Sequence, residues 1–301
     1  MSLLVVGGVT YSHGDSECQN QGMTPVGGAL EVPGVVSTAA LDRLRRVVAD
    51  LDAVVVAFSG GADSALLAAV CHEQLGDAAV AVTAVSPSLA GTELDDCERL
   101  TSSWGMRWER VDTLEMESAA YRRNDPDRCF HCKSALMDAV APLAEQLGTV
   151  VVLGVNLDDL DDHRPGQRAA AERGARFPLV EAGLTKAYVR ACSRELGLET
   201  WDKPAAACLA SRVPHGTEVT VDLLSRIERA ESALVSLGAG DLRVRHHGDV
   251  ARIEVPEAAF ERVVADRDRI VSALRSIGYR FITLDLEGFR SGSLNPPGSD
   301  T

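Results

Sequence analysis

The chain has 301 residues, 46% of them hydrophobic and 25% charged, with a formal net charge of −14 at pH 7. That length predicts two domains rather than one core, and the acidic balance repels nucleic acid instead of attracting it. No run of about 18 apolar residues occurs, which predicts no membrane span. The apolar Leu3-Leu4-Val5-Val6 has no cation before Arg43 and so lacks the flank of a secretory signal, which predicts a cytoplasmic protein. Seven cysteines in such a chain point to thiol or metal chemistry rather than a disulfide scaffold.

Residues 1 to about 36 are rich in Gly, Ser and Gln without lasting periodicity, which predicts an extension without fixed structure. Ser37-Thr38 reads as the cap of a helix over 39–50, with Leu41, Leu44, Val47 and Val48 on one face. Strands are predicted over 53–58, 79–85, 107–111 and 150–153, and helices over 64–75, 92–104, 132–147 and 185–196. Strands alternating with helices of this length predict a parallel, doubly wound α/β sheet over 37–200. Beyond about residue 215 the rhythm changes. A helix over 221–237, strands over 242–246 and 251–255 joined at Gly248-Asp249, a helix over 256–277 and a strand over 280–284 predict a small α+β domain within 201–293. The tail, 294–301, is predicted to fray.

The first strand runs into Ser59-Gly60-Gly61-Ala62-Asp63-Ser64, and a helical pattern leaves it. Strand, glycine turn and helix N-terminus together present unpaired backbone N–H groups to an anion. Gly60 and Gly61 permit close backbone approach, Ser59 and Ser64 add hydroxyls, and Asp63 suits such a cradle where a metal or a catalytic step needs it. A Walker loop would have a Lys before its Ser/Thr, and none is present. The turn resembles the PP-loop of the ATP pyrophosphatase superfamily, which implies ATP cleaved between its α- and β-phosphates and an acyl group adenylylated.

Two further segments carry thiols. Arg128-Cys129-Phe130-His131-Cys132-Lys133 is a Cys-x-x-Cys pair that can chelate a metal, form a redox couple or simply pack, with Arg128 and Lys133 favouring thiolate. Cys208 sits among small residues between Lys203 and Arg212, cations that would favour its thiolate as well. Cys18, Cys71, Cys97 and Cys192 show no such setting.

Taken in order, the turn at 58–64, the Cys-x-x-Cys block, Gly154-Val155-Asn156-Leu157-Asp158-Asp159, the block 202–214, Val244-Arg245-His246-His247-Gly248-Asp249 and Leu284-Asp285-Leu286-Glu287-Gly288-Phe289-Arg290 resemble the LarE ATP-dependent sulfur transferases, over about 37–293. The resemblance implies that a carboxylate of pyridinium-3,5-dicarboxylic acid mononucleotide is adenylylated with ATP and Mg2+ and converted to a thiocarboxylate on the way to the nickel-pincer nucleotide of lactate racemase. By position, Ser59, Gly60, Gly61, Asp63 and Ser64 would hold the ATP phosphates and metal, and Cys208 would carry the sulfur. Ser211, Arg212, Arg243 and Arg245 would grip the substrate phosphate, and Glu231 and Glu254 would serve a second phosphate or metal site. Members with one cysteine here consume it, leaving dehydroalanine. Members with three hold a four-iron four-sulfur (4Fe-4S) cluster, and Cys129, Cys132 and Cys208 supply that number, which favours the cluster route. A homo-oligomer, a hexamer included, and a downstream nickel-insertion protein are also implied. The competing readings are an NAD, GMP or asparagine synthetase-type amidotransferase, which needs none of these thiols, a tRNA thiolase, which the acidic charge disfavours, and a non-enzymatic nucleotide sensor, in which Asp63 and Cys208 would be idle.

Overall fold

The computed structural model describes residues 33–160, 165–204 and 207–290. Helix α1 (Pro33–Ala49) leads into β1 (Val54–Ala57), α2 (Ala62–Leu75), β2 (Ala79–Val85), α3 (Gly91–Trp104) and β3 (Trp108–Asp112). The short α4 (Ala119–Arg122), then α5 (Arg128–Leu147), β4 (Val150–Leu153), α6 (Pro165–Glu172), α7 (Pro178–Glu181) and α8 (Lys186–Glu195) follow. The four strands form one parallel sheet in the order β3-β2-β1-β4, with Val54 level with Ala79 on one side and with Val150 on the other. The central strand reads Val-Val-Val-Ala because both of its faces are covered. Val54 and Val56 enter one core with α1, α2 and α8, while Val55 enters a second core with Leu136, Met137 and Val140 of α5. On β2 the same alternation sends Ala79 and Ala81 to the first core and Val80 and Val82 to the second.

The remaining elements are α9 (Val221–Ser236), β5 (Arg243–His247), β6 (Val250–Glu254), α10 (Phe260–Ala265), α11 (Arg267–Ile277) and β7 (Phe281–Leu284). They build a separate sheet, β5-β6-β7, antiparallel in its first pair and parallel in its second. Gly248 opens the β5–β6 turn with φ 62, a left-handed angle that favours glycine. Leu234, Val244, Ile253, Ile270 and Leu274 fill a core of their own beneath this sheet.

Three elements differ from the sequence reading. Helix α1 starts at Pro33, a residue preset for a first helical turn, so Ser37 and Thr38 lie within it. The Thr38 hydroxyl donates to Glu195 Oε1 at 2.9 Å instead of capping. Residues 33–36 are therefore helical, while residues 1–32 and the tail from 291 lie outside the described residues. The helix expected over 256–277 is divided at Asp266, whose backbone leaves the helical region (φ −88, ψ 10) while its carboxylate accepts from Arg269. Helix α5 begins four residues early, which puts Cys129 and Cys132 one turn apart on the same helix.

Gly154 follows β4 and lies against the start of α2. A Cβ there would come within 2.8 Å of the Ser64 backbone nitrogen and 2.9 Å of the Asp63 carbonyl carbon, so backbone rather than a flexible side chain would have to yield. Gly154→Ala is expected to displace the first turn of α2 and to lower stability by about 1–3 kcal/mol. Calorimetry checks this, and an unchanged Tm would show that β4 does not hold α2 in place.

Candidate active site

After β1 the chain turns through Ser59, Gly60 and Gly61. Gly60 has φ 68, and a Cβ on it would lie 3.1 Å from Cys97 Sγ of α3. Gly61 occupies the N-cap position of α2 and no side chain caps the helix. The opening N–H groups of α2 are thus left for a ligand, and the helix dipole favours an anion there. Ser64 Oγ lies 3.1 Å from Ser59 Oγ and donates to the Gly61 carbonyl at 3.1 Å. Asn156 Nδ2 donates to Asp63 Oδ1 at 3.1 Å, and Lys186 Nζ donates to Asp63 Oδ2 at 2.5 Å.

Lys186 was not anticipated. It is the first residue of α8, where a cation opposes the helix dipole, and that misfit is the signal by which sequence could have found it. Its backbone N–H is held by Asp158 Oδ2 at 2.8 Å, so the first aspartate of the block 154–159 positions the lysine that meets Asp63.

Ser59, Asp63 and Ser64 face a cavity of about 260 Å³ whose walls also include Cys132, Lys133 and Cys208. The phosphate turn and two thiols thus share one chamber. Cys129 does not line it; its side chain is exposed. Burial first, and then the neighbouring Cys208 sulfur, pushes the Cys132 thiol up to about 12, although Lys133 pulls the other way. At Cys132 the flanking cations therefore do not produce the thiolate that the sequence led one to expect. Arg128 is buried and donates to Asn124 Oδ1 and, at 2.8 Å, to the Ala210 carbonyl.

The cations around Cys208 are likewise committed. Lys203 Nζ lies 2.8 Å from both Glu93 Oε2 and Asp96 Oδ2. Arg212 grips Glu231 through two parallel bonds of 3.0 and 3.1 Å and donates to the Cys208 carbonyl at 3.1 Å. They fix the segment that carries the sulfur; they do not bracket the sulfur with free charge.

Arg243 and Arg245 stand beside Arg212. Burial, then Arg212 and Arg245, hold the Arg243 guanidinium below its ordinary value, while Glu231 opposes them. Arg245 pairs with Glu254 at 2.8 Å and donates to the Ser211 carbonyl at 3.0 Å. Glu254 is fully buried and also accepts from Arg252 at 2.7 Å. Glu231 and Glu254 therefore meet guanidinium groups in this structure, and Ser211 joins the arginines through its backbone and its hydroxyl, 3.0 Å from Arg212.

Among the described residues no three Cys, His, Asp or Glu side chains stand close enough together to hold a metal ion. Cys129, Cys132 and Cys208 as they stand do not fit a 4Fe-4S cluster, since one of the three is outside the chamber. Mg2+ is a different case. It takes hard oxygen donors and is commonly held by one or two carboxylates plus substrate phosphates, and the Asp63 carboxylate with the Ser59 and Ser64 hydroxyls fits that chemistry.

The NAD synthase family model matches residues 37–136, from α1 into α5. Pyridinium-3,5-bisthiocarboxylic acid mononucleotide synthase of Lactiplantibacillus plantarum is 39% identical over 248 residues, 82% of this chain and 90% of its own length. The chain belongs to the LarE family of ATP-dependent sulfur transferases, within the PP-loop superfamily. A second relative, the uncharacterized protein slr1717 of Synechocystis, is 46% identical over 258 residues, 85% of this chain and 96% of its own. MJ0830 of Methanocaldococcus jannaschii, also uncharacterized, is 25% identical over 239 residues, 79% of this chain and 91% of its own. Membership makes the chain an ATP-using sulfurtransferase. Among the described residues no helix is long and apolar enough to cross a membrane.

Removing the Lys186 charge should slow AMP formation with little loss of fold, because the ion pair is partly exposed and worth at most about 1 kcal/mol to stability. Lys186→Ala is expected to lower the rate about 10²-fold, the scale of one lost charge-stabilising donor, in a pyrophosphate-release assay; a wild-type rate would remove Lys186 from the site. The thiols give a second test. With its pKa raised to about 12, Cys132 stays protonated through the neutral range and becomes thiolate only as pH climbs. Iodoacetamide at neutral pH is expected to label exposed Cys129 well before Cys132, with Cys132 labelling rising with pH; equal labelling read by peptide mass spectrometry would contradict its burial.

Proposed function

We propose that the chain adenylylates a carboxylate of pyridinium-3,5-dicarboxylic acid mononucleotide and replaces AMP with sulfur, yielding a thiocarboxylate in the formation of the nickel-pincer nucleotide. The observation that carries this reading is the shared chamber, in which the Cys208 sulfur and the phosphate turn face the same space. A carboxylate is a poor acyl donor, and activation as an acyl-adenylate divides one hard step into two easier ones.

The substrate carboxylate attacks the α-phosphorus and the α–β phosphoanhydride bond breaks. The free N–H groups at the start of α2, with Ser59 and Ser64, hold the departing pyrophosphate. Asp63 and Ser64 would hold Mg2+, which when bound neutralises phosphate charge; Lys186 adds a second positive group at the same end. The substrate phosphate is assigned to Ser211, Arg212, Arg243 and Arg245, so that residues 37–200 serve ATP and 201–293 serve the substrate.

Cys208 then attacks the acyl carbon as thiolate, its proton passing to solvent, and AMP leaves with the electron pair of the C–O bond. The thioester next loses the Cα proton of residue 208 to solvent. The Cβ–S bond breaks, the thiocarboxylate leaves with the sulfur, and dehydroalanine remains. A cluster route would need Cys129, which stands outside the chamber, so the proposed sulfur source is the cysteine itself. Transfer of the product to a nickel-insertion protein and assembly into a homo-oligomer, hexamer included, belong to the same proposal.

Intact mass before and after one turnover with ATP and substrate tests both halves. Loss of one H2S equivalent from the wild type is expected, while Cys208→Ala should make no thiocarboxylate yet still release pyrophosphate. Thiolation by the Cys208→Ala variant would overturn the role of that sulfur. Iron-bearing protein that turns over at constant mass would replace the consumed cysteine with a cluster.

A further inference from the structure

Glu115 begins a short 3-10 turn after β3, is 3% exposed and lines the chamber that holds Cys132 and Cys208. Its Oε2 is buried without any hydrogen-bond partner. A buried carboxylate oxygen left unpaired is costly, so its natural role is to meet something that enters the chamber. No part of the sulfur-transfer sequence above uses it. Among charged neighbours, Lys133 lines the same chamber, Asp63 lies on its wall within its own pair to Lys186, and Glu115 acts on Cys132 by raising its pKa.

The chemistry of an occupant follows from the oxygen and its surroundings. A phosphate or carboxylate oxygen would be repelled at Glu115 itself, so those groups of the substrates belong elsewhere in the chamber. A ring cation substituted at nitrogen carries a fixed positive charge yet offers no N–H, so it is satisfied by a nearby anion without taking up a hydrogen bond. The relative from Lactiplantibacillus plantarum is named for a pyridinium product of this kind. Because the acyl group on that ring must reach Cys208, the ring itself must lie in the chamber that Glu115 lines.

We infer that Glu115 is the counter-charge for the cationic ring of the substrate and selects it over neutral aromatic carboxylates; this rests on the functional reading above. Glu115 touches substrate in this assignment but takes no proton and forms no bond.

The test uses the full chain, ATP, the pyridinium dicarboxylate mononucleotide and its carbocyclic analogue with a neutral benzene ring. Glu115→Gln keeps the shape and removes the charge. It is expected to raise KM for the pyridinium substrate about tenfold to a hundredfold, with kcat less affected. KM for the neutral analogue should be unchanged or lower, and the Kd for ATP and the Tm should stay near wild type. Glu115→Asp, which restores charge, should recover part of the affinity for the pyridinium substrate. An unchanged KM, an equal loss for both ligands, or a fall in kcat alone that follows pH would overturn the assignment, the last by making Glu115 a proton acceptor. If the wild type neither binds nor turns over the pyridinium substrate, the functional reading fails; if the wild type works and Glu115→Gln matches it, only the role of Glu115 fails.

Discussion

The position of the Cys208 sulfur depends on one buried cation, Arg128. Its guanidinium reaches from the start of α5 to Asn124 Oδ1 and to the Ala210 carbonyl, two residues past Cys208. Asn124 is fully buried with φ 60, an angle that asparagine tolerates better than most residues, and its amide donates to the Val213 and Pro214 carbonyls at 3.2 and 2.8 Å. Hydrogen bonds from a charged donor contribute about 1.5–3 kcal/mol each, the scale of the entropy of holding one or two loop residues, so this clamp offsets much of that cost. Lys203 ties the same segment to α3, Arg212 ties it to α9, and Arg245 ties it to β5. A stretch with little regular structure beyond the 3-10 turn Leu209–Arg212 is thereby fixed from four directions.

That arrangement has a price in thiol activation. Cations committed to carbonyls and carboxylates are not free to stabilise a thiolate, and at Cys132 burial first, then the Cys208 sulfur, pushes the thiol up. In the proposed reaction Cys208 gains from placement beside an acyl group already activated, a contribution that can reach about 7–11 kcal/mol when geometry is held. Rigidity of the 207–213 segment and reactivity of its thiol are two aspects of the same set of ion pairs. Breaking the Arg212–Glu231 pair would strand a buried charge, at about 3–5 kcal/mol, and would release the sulfur from its position.

The sheet was legible from sequence because strands buried on both faces are written as apolar runs, and Val54–Ala57 is such a run. The turn at 59–64 was legible for a related reason, since a glycine at φ 68 and an uncapped helix start are local properties. What sequence could not resolve was which charge meets which. Arg128 and Lys203 stand next to thiols in the chain but turn to partners elsewhere in it. Asp63 and Lys186 lie far apart in sequence and meet only once β4 and α8 are in place. The boundaries of α1 failed because Ser37-Thr38 imitates a cap, while the structural start comes from Pro33. Glu115 carried no signal at all, because an unpaired oxygen is a property of its burial and not of its neighbours in the chain.

The separate cores of the two sheets explain why the sulfur lies where it does. Each sheet is satisfied by its own helices. A smaller cluster, Tyr121, Leu209, Ala210, Val213, Val219, Leu224 and Ile227, bridges them, and Cys132 and Cys208 pack against it. In the proposed reaction an acyl group anchored through a phosphate to arginines beside β5 would meet an α-phosphorus held at α2 across that seam. A sulfur built into either core would be buried beyond reach, and one on a free loop would be mobile. Apolar packing from both sides, with charge holding the backbone, leaves the Cys208 thiol half-buried at the junction where the proposal brings both substrates.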